Sequence, residues 1–316
     1  LRKGAVMPTI GQMVSVSYNA VLADQRKPAN QWAESALMRA FESGGFIKRM
    51  DFGPQIEAPL DYQRNPGSVI TTVDLQPLSN TKTETITSAL YTPAEVVIPI
   101  TYSDMDEVQN PTSNQKVAKA AALITNALDS HDDLVEQYLF PASTNGFLGF
   151  LTHITLAGTG SSGGISATTD AFWRNQQATY IDDTDIEAAF TTVYNSCMKG
   201  SGSKTQPTLM VSDSPTHATF VGTQQALQRW GAGDKLNAGF SGGIKFMNAD
   251  YIFSQYGGTS VQFLNPKSFQ LCVSKGHFRE LNEQIPLENA TGYTRRVYSA
   301  LQTVVSNRSR LGVAHL

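Results

Sequence analysis

The sequence predicts an α+β fold. Three observations carry this: a long amphipathic helix over 112–140, a strand-rich segment of about fifty residues before it, and a long alternating strand near the C-terminus. Taken in order, residues 1–29 show no sustained hydrophobic period and read as an extended arm. NQWAESALMRAFESGG then reads as a helix, with Asn30 as its N-cap, an apolar stripe of Trp32, Ala33, Ala36, Leu37, Ala40 and Phe41, and Gly44 as its closing glycine. Over 51–103, SVITTVDLQPL and TKTETITSALYTPAEVVIPITYS alternate short β-branched runs with Pro and polar turns, which predicts a long hairpin. An isolated two-stranded hairpin is marginal in water. This one therefore needs a surface to lie on, in its own chain or a neighbouring one.

The long helix is expected to open on a capping box of Thr112 with Gln115 and to end at Pro141. QKVAKAAALITNALDSHDDLVEQYLF places Val117, Ala120, Ala121, Ile124, Ala127, Leu128, His131, Leu134, Val135 and Tyr138 on one face. At 1.5 Å per residue it is roughly 40 Å long, a spine for whatever packs on it. FLGFLTHITLAG (147–158) reads as a strand, and a Gly/Ser stretch follows. Thr184 with Glu187 reads as a second capping box, opening DIEAAFTTVYNSCMKG. Beyond the loop GSGSK, PTLMVS predicts a strand and Ser214 to Trp230 a helix. IKFMNADYIFS, SVQFLNP and FQLCVS predict further strands. YTRRVYSALQTVVSNRSRLGVAHL closes the chain as a long alternating strand with an apolar end.

Composition limits what such a chain can do. Charged residues are 16% of the 316, against about 25% in ordinary globular domains. That deficit fits a surface that meets other copies of the chain, and by itself also fits ordinary variation. The net charge of −3 argues against nucleic-acid binding driven by counterion release over the whole chain. No 18-residue apolar run is present to predict a membrane-spanning helix, and LRKGAVMPTIGQMVS lacks a signal-peptide core. Cys197 and Cys272 are expected to be reduced thiols.

Motifs with catalytic associations were weighed against their structural requirements. GTGSSGG (158–164) fits the G-x-G-x-x-G of dinucleotide loops through Gly158, Gly160 and Gly163. It also fits the G-x-S-x-G of a nucleophile elbow through Gly160, Ser162 and Gly164, with His217, His277 and His315 following. Both patterns require a helix immediately afterwards, and ISATTD is turn and β-branched material. A mobile surface loop is the expected reading. KGSGSKT (199–205) fails as a phosphate loop because Ser203 stands in place of the second glycine. The histidines at 131, 153, 217, 277 and 315 include no H-x-x-x-H pair, and His131 lies on the apolar stripe of the spine helix, so a core or interface role is expected. DDTDIE (182–187) starts like a calcium loop but lacks its glycine and distal glutamate. SDMDE (103–107) reads as a solvated turn. No catalytic, cofactor-binding or metal site is expected, and no enzyme.

The order of elements carries more than any motif. Arm, first helix, long hairpin, spine helix, α/β module and returning C-terminal strand together resemble the major capsid protein of tailed bacteriophages, the Hong Kong 97-type fold, to which encapsulin shells are similar. Gly163-Gly164-Ile165, Thr168 and Phe172-Trp173-Arg174-Asn175 resemble a GGI…FWRN stretch found in one group of these capsid proteins. PTLMVSDSPTHATFV resembles the strand and helix of their axial domain, and RLGVAHL the closing segment of their peripheral domain.

The resemblance implies four parts. These are an N-terminal arm and first helix over 1–50, an extended hairpin (the E-loop) over 51–103, a peripheral domain over 104–146 and 291–316, and an axial domain over 147–290. It implies a protein that self-assembles into an icosahedral head around double-stranded DNA, without enzymatic activity or cofactor. Expected partners are many copies of itself in pentamers and hexamers, scaffold and portal proteins, decoration proteins, and DNA contacted non-specifically, with no membrane. The expected location is the virion capsid, assembled in the bacterial host cytoplasm. Some members crosslink neighbours by a Lys–Asn bond. Lys82 is the only hairpin lysine here and has no matching partner, so no crosslink is expected. The alternatives are an encapsulin-like compartment and, from a different class, a serine hydrolase using Ser162.

Overall fold

Ser35 opens the first helix in the computed structural model, which describes residues 35–65, 67–68, 70, 84–109, 113–182, 184–198, 206–227 and 244–316. The expected arm, Asn30, Lys82, Thr112 and the loop at 199–205 lie outside the described residues. The Ser35 hydroxyl accepts the Met38 amide at 3.0 Å and so caps α1 (Ala36–Gly44). Gly45, not Gly44, ends this helix, at φ 73 in the left-handed region that glycine enters freely. Leu37 and Phe41 of the expected stripe are buried, and the Phe41 ring stacks on Phe46 at 5.0 Å.

β1 (Ile47–Met50) follows, then β2 (Ile56–Asp61) and β3 (Ile86–Tyr91), paired antiparallel from Ile56 against Tyr91 to Asp61 against Ile86. This pair is the root of the expected hairpin. Ile56, Ala58, Leu60, Ala89 and Tyr91 are buried in the chain's main core, so the surface the root needs is intramolecular. β4 (Ala94–Ser103) leads into α2 (Asp104–Gln109). Here SDMDE is a capping box and not a solvated turn: Ser103 Oγ accepts from the Met105 amide and Asp106 Oδ2 from the Ser103 amide.

The spine is α3 (Ser113–Leu139), 27 residues long. Ala120, Ile124, Ala127, His131 and Val135 are buried along it as the periodicity predicts, while Val117 near its start is exposed. β5 (Ser143–Thr144) and β6 (Phe147–Leu148) form a small hairpin turned by Asn145 and Gly146, both at positive φ.

The strand expected over 147–158 is instead the short helix α4 (Phe150–His153) after β6. Short apolar runs do not distinguish buried strand from buried helix by period. Packing decides it here: a Cβ at Gly149 would lie 1.9 Å from the Pro141 carbonyl oxygen, so the chain is pressed against the end of the spine. β7 (Ser161–Ser162), β8 (Ile165–Ser166), a 3-10 turn (Ala171–Trp173) and β9 (Gln176–Thr179) come next.

α5 (Ile186–Cys197) does not open on the expected capping box. Asp182 captures Thr184 first, accepting its amide at 2.9 Å and its hydroxyl at 2.5 Å. β10 (Leu209–Ser212) and α6 (Ser214–Leu227) follow as expected, the helix capped by Asp213 on the Thr216 amide. Then come β11 (Ile244–Phe246), β12 (Ala249–Phe253), β13 (Val261–Leu264), β14 (Phe269–Ser274), β15 (Glu280–Leu281), β16 (Ile285–Pro286) and β17 (Gly292–Val305). A 3-10 turn (Arg308–Arg310) separates β17 from β18 (Gly312–His315), so the expected single closing strand is two.

Two six-stranded sheets organise these elements. The first runs β1-β14-β17-β15, with β4 and β16 also on β17. β17 pairs with β4 from Gly292 against Ser103 to Leu301 against Ala94. Ile100 and Tyr102 of β4 and Val297 of β17 pack on Ala120, Ile124 and Ala127 of the spine. The second sheet runs β11-β12-β10-β13-β18-β9. Its core is aromatic: the Phe190 ring of α5 lies 5.2–6.0 Å from the rings of Phe220, Phe246, Tyr251 and Phe263.

The sheets cut across the expected segment boundaries. β14, within 147–290, joins the first sheet beside β17; β18, within 291–316, joins the second between β13 and β9. An apolar strand carries no label for its partner, and among the described residues the chain crosses between sheets three times, through 104–175, at 265–268 and at 306–311. No described helix is long and apolar enough to cross a membrane.

The seating of β18 can be tested at Gly312, where a Cβ would meet Val193 Cγ1 at 2.4 Å and Cys197 Sγ at 2.8 Å. Gly312→Ala is expected to destabilise the second sheet by about 1–3 kcal/mol, measured by urea unfolding of the chain.

Candidate functional site

GTGSSGG is neither a mobile loop nor a phosphate cradle. Ser161–Ser162 and Ile165–Ser166 form the β7–β8 hairpin, turned by Gly163 at φ 61 and Gly164 at φ 79. A two-residue turn with both residues at positive φ suits glycine, and its twist matches the flanking strands. A Cβ at Gly163 would also strike Ala89 Cβ at 2.7 Å and the Tyr91 ring at 2.8 Å. The bare glycine lets the turn lie flat against β3, where the Leu90 amide donates to the Gly163 carbonyl at 3.0 Å. A β-strand occupies the place where both catalytic patterns require a helix, which agrees with the sequence reading.

Ser162 is 3% exposed and bonded to His153, whose Nδ1 lies 2.8 Å from Ser162 Oγ. His153 Nε2 lies 2.8 Å from Thr303 Oγ1. The Thr303 hydroxyl donates to the Leu148 carbonyl, so it accepts from Nε2–H, and Ser162 donates to the free Nδ1. Burial, reinforced by the nearby Arg308 charge, pushes the His153 pKa down to about 3, so the ring is neutral at neutral pH. This serine–histidine pair lacks two requirements of nucleophilic catalysis. The far imidazole nitrogen meets a threonine where a triad has a carboxylate, and the serine is sealed from solvent.

The histidines paired with Ser162 by chain order lie elsewhere. His217 packs on Tyr251 and Phe253, His277 faces Glu280 at 2.6 Å, and His315 contacts the Leu316 carbonyl. The sequence reading overlooked His153 as a partner of Ser162. Only an unremarkable nine-residue spacing links the two.

Around this pair the chain builds a buried polar node. Arg308, with 0% exposure, donates from Nε to the His153 carbonyl at 2.5 Å and from Nη1 to the Gly160 carbonyl at 2.9 Å. Its Nη2 reaches the Thr159 carbonyl at 2.9 Å, and Thr155 Oγ1 and Asn175 Oδ1 at 3.2 Å each. Burial lowers its pKa to about 10, which leaves it charged at neutral pH. The FWRN residues lock the same node. Phe172 stacks on Tyr62 of the hairpin at 5.1 Å; Trp173 Nε1 donates to the Ser162 carbonyl at 3.0 Å. Arg174 Nε donates to the Ala167 carbonyl at 3.0 Å, and Asn175 bonds both the amide and the carbonyl of Thr155. Tyr91 of β3 completes it, donating to the Val305 carbonyl at 3.0 Å.

A second polar tie joins α1, the spine and the first sheet. Arg279 Nη2 holds both Asp132 carboxylate oxygens at 2.6 and 2.7 Å and lies 3.3 Å from Glu42. Burial alone would raise the Asp132 pKa; His131 and Arg279 outweigh it and hold the carboxyl below the usual range. Glu136, also on the spine, accepts the Ser35 and Ser254 hydroxyls. Among the described residues no group of three or more His, Cys, Asp or Glu side chains could hold a metal ion. These arrangements fasten elements together.

No family model matches the sequence, and no curated protein does. Solved structures do. Over 92% of its length the chain is similar to the capsid protein of cyanophage A-1(L), covering 96% of that chain, with a TM-score of 0.64 at 14% identity. It is similar to the corresponding chain of Mycobacterium phage Cain, with a TM-score of 0.56 at 11% identity over 94% of this chain and 97% of that one. It is also similar to the SrpI encapsulin of Synechococcus elongatus, with a TM-score of 0.55 at 10% identity over 93% of this chain and 94% of that one. The fold is the Hong Kong 97-type capsid fold, as the element order implied, and nearly the whole chain takes part in it.

Two outcomes check the node. Arg308→Met leaves the His153 carbonyl without a donor and takes one of two donors from Thr159 and Gly160, which keep the Thr155 hydroxyl and the Ala167 amide; at about 1–3 kcal/mol for the orphaned carbonyl the expected loss is at least ~1 kcal/mol, read from chemical denaturation. A fluorophosphonate probe is expected to leave Ser162 of the folded chain unlabelled, as peptide mapping by mass spectrometry would show.

Proposed function

We propose that the chain is the major capsid protein of a tailed phage or prophage, assembling in the bacterial cytoplasm into an icosahedral head that encloses double-stranded DNA. The observation that carries this reading is the whole-chain likeness to the cyanophage A-1(L) capsid protein. The hairpin supports it. Its root is fixed in the chain's own core, while Ile86 and Leu90 on the other face of β3 remain 69% and 45% exposed. Apolar side chains on that face suit contact with another copy. Repeated heterologous contacts that close give rings, here pentamers and hexamers, and rings tile a shell.

In this reading the spine with β14–β17 is the peripheral domain and the second sheet the axial domain. Residues 1–50 are the arm with the first helix and 51–103 the E-loop, and their strands β1 and β4 pair onto the peripheral sheet. Scaffold, portal and decoration proteins are further partners. With a net charge of −3 the wall would contact DNA without gluing it in place. An encapsulin-like compartment is the second reading, favoured by the likeness to the SrpI encapsulin.

Negative-stain microscopy of the expressed chain, alone and with its scaffold, is expected to show uniform closed shells. A chain that stays monomeric under every assembly condition would overturn the proposal. Nuclease-protected DNA inside shells from infected or induced cells supports the phage head, and packed protein cargo supports the compartment. Denaturing gels of these shells are expected to show no covalent ladder.

A further inference from the structure

The β2–β3 pair packs beside a buried titratable ring, His153. Both nitrogens of His153 are occupied by hydroxyls, and the hydrogen-bond directions leave Nδ1 as the one position where a proton can add. The groups facing the ring offer that proton no compensating negative charge. From β3 comes Tyr91, its ring 5.8 Å away, its hydroxyl donating to Val305 and also bonded to Ser162. From the C-terminal 3-10 turn comes Arg308, already a buried cation, bonded to the His153 backbone. From β14 comes the Phe269 ring at 6.0 Å; Cys272 of the same strand acts on Tyr91, and burial keeps its thiol protonated. No hydrogen bond or ion pair brings a carboxylate to this node among the described residues.

A proton on Nδ1 has two local consequences. It reverses the Ser162 hydrogen bond, because that hydroxyl must stop donating. It also places a second cation beside Arg308 in a dry core, where like charges repel strongly. Ser162 adjoins the turn whose Gly163 carbonyl holds the Leu90 amide. The Tyr91 ring lies against both that turn and His153. The strands β2 and β3 belong to neither large sheet. Their polar ties to the rest of the chain include Leu90 to Gly163 and Tyr91 to Val305, and both run through this node.

We propose that the His153 node is an acid-operated release for the root of the hairpin: protonation of Nδ1 displaces the β7–β8 turn and unlatches β3 from the body of the chain. The device belongs to the single chain and holds whether or not the chain builds shells. Its direction follows from linkage. Burial lowers the His153 pKa from 6.5 to about 3 in the closed node, and opening restores the ordinary value. The closed state is therefore fully favoured above about pH 6.5 and loses that advantage as the pH falls toward 3, by up to about tenfold per pH unit.

The test is hydrogen–deuterium exchange of the full chain at pH 7.5 and 5.0, corrected for intrinsic exchange, in wild type and His153→Gln. In wild type, peptides covering 86–91 and 160–167 are expected to gain about tenfold or more in opening at pH 5.0 relative to β10 and β13, and the variant to lose this difference. An equal rise in both regions, or an acid response that persists in His153→Gln, overturns the proposal. Should the variant fail to fold, imidazole chemical shifts of isotope-labelled wild type decide. The ring is expected to stay in the neutral Nε2–H form until root exchange begins, and an imidazolium inside a still-protected node would refute the release.

Discussion

The guanidinium of Arg308 is the constraint on which the rest of the structure depends. Residues 154–160 carry no regular secondary structure, so their buried carbonyls have no ladder to join. An orphaned carbonyl in a dry core costs more than a hydrogen bond contributes. Arg308 donates to His153, Thr159 and Gly160 from one planar fork; the Thr155 hydroxyl and the Ala167 amide are second donors at Thr159 and Gly160, while His153 depends on the guanidinium. A lysine, a point charge with three donors, lacks that geometry. With the loop fixed, β7 and β8 can fold back, Ser162 can reach His153, and the Gly163 turn can meet the hairpin. The node thus holds an irregular crossing at the place where both sheets and the hairpin converge.

β17 is the complementary apolar element. It pairs with β4 along ten residues and with β14 on its other edge, and its Val297 packs toward the spine helix. Its far end supplies Thr303 to the node and Val305 to Tyr91. The chain then turns through Arg308 and joins the second sheet as β18. Sheet-to-sheet geometry is therefore set within a few residues of the buried cation. A polar node is a weak source of net stability but is intolerant of misfit, so it specifies one arrangement of the parts around it.

What could be read from the sequence divides along physical lines. Periodic signals were reliable: Ala120, Ile124, Ala127, His131 and Val135 lie buried along the spine as their spacing requires, and a strand then a helix from Ser214 stand where PTLMVS and the residues after it predict them. Local hydrogen-bond competition was not legible. Asp182 captured Thr184 before a capping box could form, and Ser103 with Asp106 formed one where a solvated turn was read. Partner choice was not legible either, since β18 has no sequence mark that assigns it to the second sheet. The node was the least visible part. Its members stand at 91, 153, 162, 173, 303 and 308, and only GGI and FWRN pointed there, as a resemblance and not as a derivation.

Ser162 shows why composition-level motif matching misleads in a fold of this kind. A tight turn needs glycines at positive φ, and a small hydroxyl next to it fits where a larger side chain would not. Those same requirements write G-x-S-x-G without any catalytic demand. The buried imidazole then completes the likeness, because a hydroxyl and a neutral histidine satisfy one another in a dry core as they do in an active site. What separates the two cases is the rest of the environment. An enzyme places a carboxylate behind the imidazole and leaves an open path to the serine. This node places a threonine behind it, a cation beside it and an indole over the serine carbonyl. Each of those choices favours a ring that stays neutral and a turn that stays shut, which is what a two-stranded β2–β3 pair outside both large sheets requires to hold one position.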